Sequence, residues 1–364
     1  MHESTDAAAF ARLDLARHDR HDAVLRWLAV GSLAAQLVAL ALYARRPPRM
    51  RGPELVRAAS LGALAAVVLL LARLPFAITT LWWQRRYGIA QLGYGRWTFD
   101  LLGPLAVRAG LLAVASAACV YAARRFGGRW WLAVAPVFAA IGVIVIVAHP
   151  LLSPRLATVR RADVVRQVEQ LAAREGLPRP DVELRKTNGR TRQLNAEAIG
   201  IGPTTRVVLW QTTLGLAPNV RGVLVAHELA HVARRHLWKG LSWFVLLVVP
   251  GLALLARLAP IRTDADVPRA LFVTFVLLLL ATPLVNVLSR RYEREADWIA
   301  LETTRDPTAA KRLLVLLAER GVRDPTPPRA WSLVFGTHPT LADRAGLADA
   351  FGATRGAGRS RGGS

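Results

Sequence analysis

Two histidines flank a glutamate in the motif His227-Glu228-Leu229-Ala230-His231. A helix turns about 100° per residue, so His227 and His231 lie about 40° apart on one face, one turn from each other. That spacing lets two imidazoles bind one zinc ion from the same side. Glu228 stands beside that face, where its carboxylate can hold a water molecule and take its proton. The alternative is an ordinary amphipathic helix that carries two histidines.

A catalytic zinc ion usually takes three protein ligands, so a third ligand is expected downstream. Glu293 and Asp297 are four residues apart and share one helix face, whereas Glu295 points to the opposite side and is the weaker candidate. Alone, Glu293 would read as a solvated charge in an Arg-rich helix, but the upstream histidines favour a ligand. His236 lies about 140° round a continuous helix from His231, which predicts a surface or interface residue and not a ligand.

The elements that must position the two motif histidines and Glu228 form an α+β unit over residues 153–239. Ala162–Glu175 has a helical pattern. Asp181–Lys186 alternates like a strand, and Arg206–Trp210 is a β-branched strand. Pro218 then opens the helix that carries both histidines.

Long apolar blocks dominate the remaining sequence. Hydrophobic residues make up 53% of the 364. About six runs approach the roughly 20 residues that a bilayer-spanning helix needs. Arg73 interrupts the second run, and a charge in a span is costly, so we expect it to face a polar interior or to reach the interface. The runs cover about 23–44, 58–83, 101–123, 130–152, 240–256 and 270–288.

The net charge of +23 is carried almost wholly by arginine. Nucleic-acid binding is one interpretation of such a charge. The favoured interpretation is a lipid bilayer and no nucleic acid, because the arginine clusters flank apolar segments. The distribution of Arg and Lys near span ends favours a cytoplasmic catalytic unit in a bacterial cell membrane. The single Cys119 lies inside an apolar run and excludes an intrachain disulfide and a cysteine-based zinc site.

The predicted organisation has six parts. They are a polar N-terminal segment (1–22), a four-helix transmembrane region (23–152), the soluble unit (153–239), two transmembrane helices (240–288), a third-ligand helix with a C-terminal catalytic segment (289–350), and a disordered basic tail (351–364).

Several motifs together resemble the M48 family of integral-membrane zinc metalloproteases, and within it the type 1 CAAX prenyl proteases. The resemblance rests on 227–231, on 289–297, on Thr337-His338-Pro339 with Arg344, and on Leu194-Asn195-Ala196 ahead of the motif helix. With the apolar runs, it implies a mainly α-helical polytopic membrane protein of about six transmembrane helices with a zincin-like α+β metalloprotease unit.

The resemblance also implies roles for individual residues. His227, His231 and Glu293 would bind one zinc ion per chain, and Glu228 would be the general base. Asp297 would hydrogen-bond a ligating histidine and orient it, the usual role for such a carboxylate.

Three further residues would meet the substrate if the resemblance holds. His338 and Arg344 would hold substrate or stabilise the oxyanion, and Asn195 would contact the substrate backbone beside an edge strand. The alternatives are a turn residue for Asn195, an ion-pair partner for Arg344 and a surface histidine for His338.

The resulting prediction is a membrane-embedded zinc metalloendopeptidase that hydrolyses peptide bonds of membrane-associated or lipid-modified proteins. One alternative is a heat-shock-type quality-control protease of the same superfamily. Another is a membrane signal transducer whose zinc domain relays a signal. Nothing in the sequence indicates the oligomeric state.

Overall fold

The computed structural model describes residues 9–152, 156–187, 189–200 and 205–361. Parts of three predicted segments, residues 1–8, 153–155, 188, 201–204 and 362–364, lie outside these ranges. The helices are α1 (Leu15–Arg45), α2 (Glu54–Arg86), α3 (Tyr94–Asp100), α4 (Leu102–Phe126), α5 (Trp130–Leu152), α6 (Ala162–Arg174), α7 (Pro218–Ala233), α8 (His236–Leu258), α9 (Val267–Thr304), α10 (Pro307–Gly321), α11 (Arg329–Phe335) and α12 (Leu341–Arg361). The strands are β1 (Ala157–Thr158), β2 (Asp181–Arg185), β3 (Ala196–Ile199) and β4 (Arg206–Trp210).

Five helical segments among the described residues are long and apolar enough to cross a membrane. The sequence-based number of about six counts α4 and α5 separately. Here α4 and the part of α5 up to Ile144 fall within one segment, Tyr94–Ile144, because only the short turn Gly127–Arg129 separates the two helices. Apart from Leu101, each predicted apolar run lies in a helix. The five segments are Leu15–Arg45, Glu54–Arg86, Tyr94–Ile144, His236–Leu258 and Asp264–Thr304.

The membrane helices approach one another closely at small or polar side chains. At Gly62 of α2, an added Cβ would overlap the carbonyl oxygen of Leu112 in α4. The Tyr43 hydroxyl of α1 donates a buried hydrogen bond of 2.8 Å to the carbonyl of Leu61 in α2. Large apolar side chains on the outer faces of α1 and α9 stay exposed, as expected for helices that face lipid.

Arg73 lines a cavity of about 730 Å³ between α1, α2 and the α+β unit. The wall of this cavity also contains Gln36 and Gln84, together with the ring of Trp210 at the end of β4. The arginine therefore faces a partly polar interior, as expected for a charge within an apolar run.

The α+β unit is built on a four-stranded sheet in the order β1-β2-β4-β3. β2 and β4 are parallel, whereas β1 and β3 each pair antiparallel with a neighbour. Val207 and Leu209 of β4 share a buried core with Val225 and Leu229 of α7. The predicted helix 162–175 and the two predicted strands are confirmed, and α7 is held between the sheet and α6, α9 and α10.

The last membrane segment and the third-ligand helix are one element. α9 runs unbroken from Val267 to Thr304, although Pro283 lies inside it. The predicted boundary between 240–288 and 289–350 therefore falls within a single helix of about 57 Å, at 1.5 Å per residue. The boundary predicted after residue 239 likewise falls inside α8, which begins at His236.

Each of the two predicted terminal segments contains a buried phenylalanine. α1 begins at Leu15, and Phe10 ahead of it is buried against Leu314 and Ala345. At the other end, α12 continues to Arg361. The prediction of a disordered tail over 351–364 is therefore wrong for residues 351–361. The physical reason is packing: Phe351 is buried in the core of the α+β unit, and this contact anchors the helix.

Candidate active site

The two motif histidines lie on one face of α7, as their spacing predicts. α7 starts at Pro218, a residue suited to the first helical turn, and ends at Ala233. The Nε2 atoms of His227 and His231 are 3.3 Å apart. Both imidazoles therefore direct one nitrogen to the same point.

Glu293 of α9 reaches this point from the opposite side. Its Oε2 lies 3.2 Å from Nε2 of His227, and its Oε1 lies 3.5 Å from Nε2 of His231. Each of the three residues offers one ligand atom within 4.8 Å of the others. The structure thus brings together the three residues that the sequence selects as ligands.

The chemistry of these donors fits a metal ion. Nδ1 of His227 lies 2.9 Å from Oδ1 of Asp297. Nδ1 of His231 lies 2.9 Å from Nδ1 of His236. With both imidazole protons on Nδ1, the Nε2 lone pairs face each other and the Glu293 carboxylate in a largely buried site. Two Nε2 lone pairs and a carboxylate directed at one point suit a cation between them, and neutral imidazole with carboxylate is a ligand set that zinc takes.

Asp297 is held by a two-pronged ion pair with Arg344. Nε of Arg344 donates to Oδ2 of Asp297 at 2.8 Å, and Nη2 donates to Oδ1 at 2.6 Å. Both side chains are only 12% exposed. Because this geometry fixes the carboxylate, Asp297 is placed to orient His227. Of the roles considered for Arg344, the ion pair is the one seen directly.

Glu228 lies next to the ligand cluster. Burial raises the pKa of its carboxyl to about 7, and the backbone of Ala198 in β3 donates a hydrogen bond to it. A carboxyl group with a pKa near neutrality can both accept and return a proton. This is the property that a general base needs.

A cavity of about 330 Å³ opens over the cluster, bounded by α7, α9, α10, α11 and α12. All of the sequence-predicted substrate-contacting residues line it. His338 is mostly exposed, yet its Nε2 lies 3.3 Å from Oε2 of Glu293. Its Nδ1 is 2.8 Å from the Thr337 hydroxyl. The predicted residues in the wall are Asn195, His227, Glu228, Asp297, His338 and Arg344.

Asn195 immediately precedes β3, one of the two edge strands of the described sheet. Its carbonyl accepts a hydrogen bond of 3.1 Å from the backbone N–H of Trp210. The backbone of Asn195 thereby continues the β3–β4 pairing, and its side chain borders the cavity. Asn195 is placed where an extended chain could join the sheet edge.

His236 is not the surface residue that the sequence analysis allowed for. It is only 6% exposed, and it contacts His231 instead of facing solvent. The helical angle of about 140° assumed a continuous helix. α7 ends at Ala233, however, and Arg235 adopts the left-handed conformation with φ 55°, so the chain turns back beneath the site before α8 begins. Neither glycine nor proline marks this break in the sequence.

Comparison with known proteins agrees with this geometry. The sequence profile of Peptidase family M48 matches residues 158–350, more than half of the chain. An uncharacterized metalloprotease of Bacillus subtilis (strain 168), YhfN, is 25% identical over 240 residues, which cover 61% of this chain and 56% of that protein. The chain thus matches little more than half the length of this relative.

The crystal structure of Ste24p from S. mikatae has a TM-score of 0.71 to this chain and covers 85% of it, with 80% of that protein covered. At 15% sequence identity this likeness shows the fold alone. The apolar helices and the shared fold indicate an integral membrane protein. The matched region contains both histidines, the general-base candidate and the third-ligand helix, so the resemblance seen in the sequence is confirmed, and the chain belongs to peptidase family M48.

Proposed function

We propose that this protein is a membrane-embedded zinc metalloendopeptidase. The observation that carries the proposal is the convergence of His227, His231 and Glu293 on one point, with His227 and Glu228 in the wall of the adjoining cavity. His227, His231 and Glu293 would hold one zinc ion per chain. Bound zinc would supply positive charge that favours an attacking hydroxide and polarises the scissile carbonyl.

The protein side chains divide the remaining work. Glu228 accepts the proton of the attacking water and returns it to the leaving nitrogen. Asp297 keeps His227 in the tautomer and orientation that a ligand needs. His338 borders the same space and can donate a hydrogen bond to the carbonyl oxygen as negative charge develops on it.

The substrate is proposed to bind as an extended peptide. β3 is the sheet edge nearest the cluster, and Asn195 and Ala198 link it to the cavity and to Glu228. An added strand would obtain its register from main-chain hydrogen bonds to this edge. Because the same molecule carries apolar membrane helices, the proposed substrates are membrane-associated or lipid-modified proteins. The basic residues near span ends support a cytoplasmic position for the site in a bacterial cell membrane.

The test uses full-length protein purified in detergent, with Glu228→Gln as the inactive variant. Glu319→Gln, at an exposed glutamate of α10, is the matched control. We expect about one zinc per chain in all three proteins. Cleavage of an unfolded protein or of a prenylated C-terminal peptide should be sensitive to chelators and absent only in Glu228→Gln.

The substrate that is cut separates the remaining alternatives. Cleavage of the prenylated peptide alone would support a processing protease, and cleavage of unfolded protein alone would support quality control. Zinc binding without cleavage of either substrate would contradict the general endopeptidase and favour signal relay. Wild-type protein that binds no zinc would overturn the metal site itself.

A further inference from the structure

His236 makes an unexpected contact with the proposed metal ligand His231. The two Nδ1 atoms are 2.9 Å apart, and the rings meet nearly edge to face, with centroids 5.0 Å apart. The contact lies on the side of the His231 ring that is remote from the ligand cluster, because Nε2 of His231 faces His227 and Glu293. A hydrogen bond at Nδ1 therefore acts on His231 without competing for the metal.

The direction of this hydrogen bond follows from the next residue in the chain of contacts. Nε2 of His236 lies 3.2 Å from Oε2 of Glu295. An ionised carboxylate only accepts hydrogen bonds, so His236 donates from Nε2, and its Nδ1 in the neutral ring carries a lone pair. That lone pair accepts the Nδ1 proton of His231. The Nε2 atom of His231 is then left unprotonated, as a metal ligand requires.

Two basic side chains hold Glu295 in place. Its carboxylate lies 3.4 Å from Nε of Arg234 and 3.5 Å from Nζ of Lys239. These two cations hold the Glu295 carboxylate close to the turn between α7 and α8. Glu295, the weaker candidate for the third ligand in the sequence analysis, therefore contacts His236, which in turn contacts the proposed ligand His231.

The ring of His236 is also fixed in its plane. Tyr292 of α9 stacks on it with centroids 4.7 Å apart and an angle of 18° between the planes. The Tyr292 hydroxyl in turn accepts a hydrogen bond of 3.1 Å from the indole of Trp243 in α8. A buried, stacked imidazole has little rotational freedom, so its acceptor atom stays directed at His231.

We propose that His236 is a positioning residue that sets the tautomer and orientation of His231 through the hydrogen-bond chain Glu295–His236–His231. It is the counterpart of Asp297, which contacts Nδ1 of His227. This inference rests on the zinc site of the proposed function. Contacts of this kind typically contribute 10–100-fold to metal affinity or activity.

Two substitutions separate positioning from packing. His236→Phe keeps an aromatic ring against Tyr292 and removes the acceptor, whereas His236→Asn places an amide oxygen near the former Nδ1 position. His18→Phe is the matched control, because His18 is also buried, at 5% exposure, and its hydrogen bond is to the carbonyl of Arg323 and not to a proposed zinc ligand. The measurements are the zinc dissociation constant by competition with a chelator, the thermal midpoint of the metal-free protein, and kcat and KM.

We expect His236→Phe to weaken zinc binding about 10–100-fold and to lower kcat more than it raises KM. His236→Asn should recover most of the affinity, and His18→Phe should change the thermal midpoint without changing the zinc dissociation constant. If His236→Phe does not fold, Glu295→Gln is the second variant, with an expected loss of about 3–10-fold in zinc affinity.

Zinc affinity in His236→Phe within twofold of wild type would overturn the inference, as would equal losses in the Phe and Asn variants. If His236→Phe does not fold, unchanged zinc affinity in Glu295→Gln would overturn the inference instead. Wild-type protein that binds zinc but cleaves nothing would overturn the proposed function and leave the affinity comparison valid. Wild-type protein that binds no zinc would overturn both.

Discussion

The buried ion pair between Asp297 and Arg344 offers a sharp test of how the site is held together. Arg344→Met keeps the length of the side chain and removes its charge. Asp297 would then remain 12% exposed with only His227 as a partner. Removing one member of a buried pair costs about 3–5 kcal/mol. Because His227 still contacts the carboxylate, the expected loss lies at the lower end, about 3 kcal/mol.

The affected element should be α12, because Arg344 joins it to Asp297 on α9. The assay is amide hydrogen exchange in detergent with zinc removed by a chelator, so that metal loss does not contribute. A loss of about 3 kcal/mol corresponds to exchange on the order of 10²-fold faster wherever α12 opens locally. Asp297→Asn should accelerate exchange similarly, since it leaves Arg344 buried without its partner.

The double variant Asp297→Asn with Arg344→Met leaves neither charge. Its cost should fall short of the sum of the single variants by about 2–3 kcal/mol. Lys311→Met is the matched control, because the Lys311–Asp349 pair also joins a neighbouring helix to α12 but is more than one-third exposed on both sides. Exposed pairs contribute at most about 1 kcal/mol. Additive single variants, or equal effects of Arg344→Met and Lys311→Met, would refute the reasoning.

Elsewhere in the molecule, single substitutions at three sites have definite expected outcomes. Burial raises the pKa of Glu175 from 4.5 to about 7. The folded state therefore binds this proton more tightly, and stability falls between pH 4.5 and 7. Glu175→Gln should remove this pH dependence and raise the free energy of unfolding by about 2 kcal/mol at pH 8. The measurement is the unfolding midpoint as a function of pH, and an unchanged pH dependence would contradict the raised pKa of Glu175. Gly62→Ala should lose about 1–3 kcal/mol by overlap with Leu112, seen as a lower thermal midpoint, and an unchanged midpoint would disprove the close approach. Phe10→Ala should cost about 3 kcal/mol at its contact with Leu314 and speed tryptic removal of the N-terminal segment, whereas equal cleavage rates would show that the contact contributes little.

The parts of the site that the sequence predicts well are those governed by local periodicity. His227 and His231 share a face of α7 because both lie in one uninterrupted helix, and the same holds for Glu293 and Asp297 in α9. The strand at Arg206–Trp210 was equally predictable, since its β-branched run is buried between two neighbouring strands. Such patterns need no knowledge of distant residues.

The parts that sequence reasoning missed depend on single backbone angles or distant partners. The role of His236 follows from the left-handed conformation of Arg235, for which arginine gives no signal. The order of Phe10 and Phe351 depends on pockets formed by helices far along the chain. Neither effect produces a periodic pattern in its own segment.

The unbroken course of α9 has a consequence for the synthesis of this protein on the ribosome. Synthesis delivers both histidines first, followed by two apolar helices, and only the end of the second of these carries Glu293. A nascent chain whose last apolar helix has not reached the bilayer therefore lacks a properly placed third ligand. The proposed peptidase would therefore become active only after its last membrane helix has been inserted. Neighbouring polypeptides would not be cleaved while it is being synthesised.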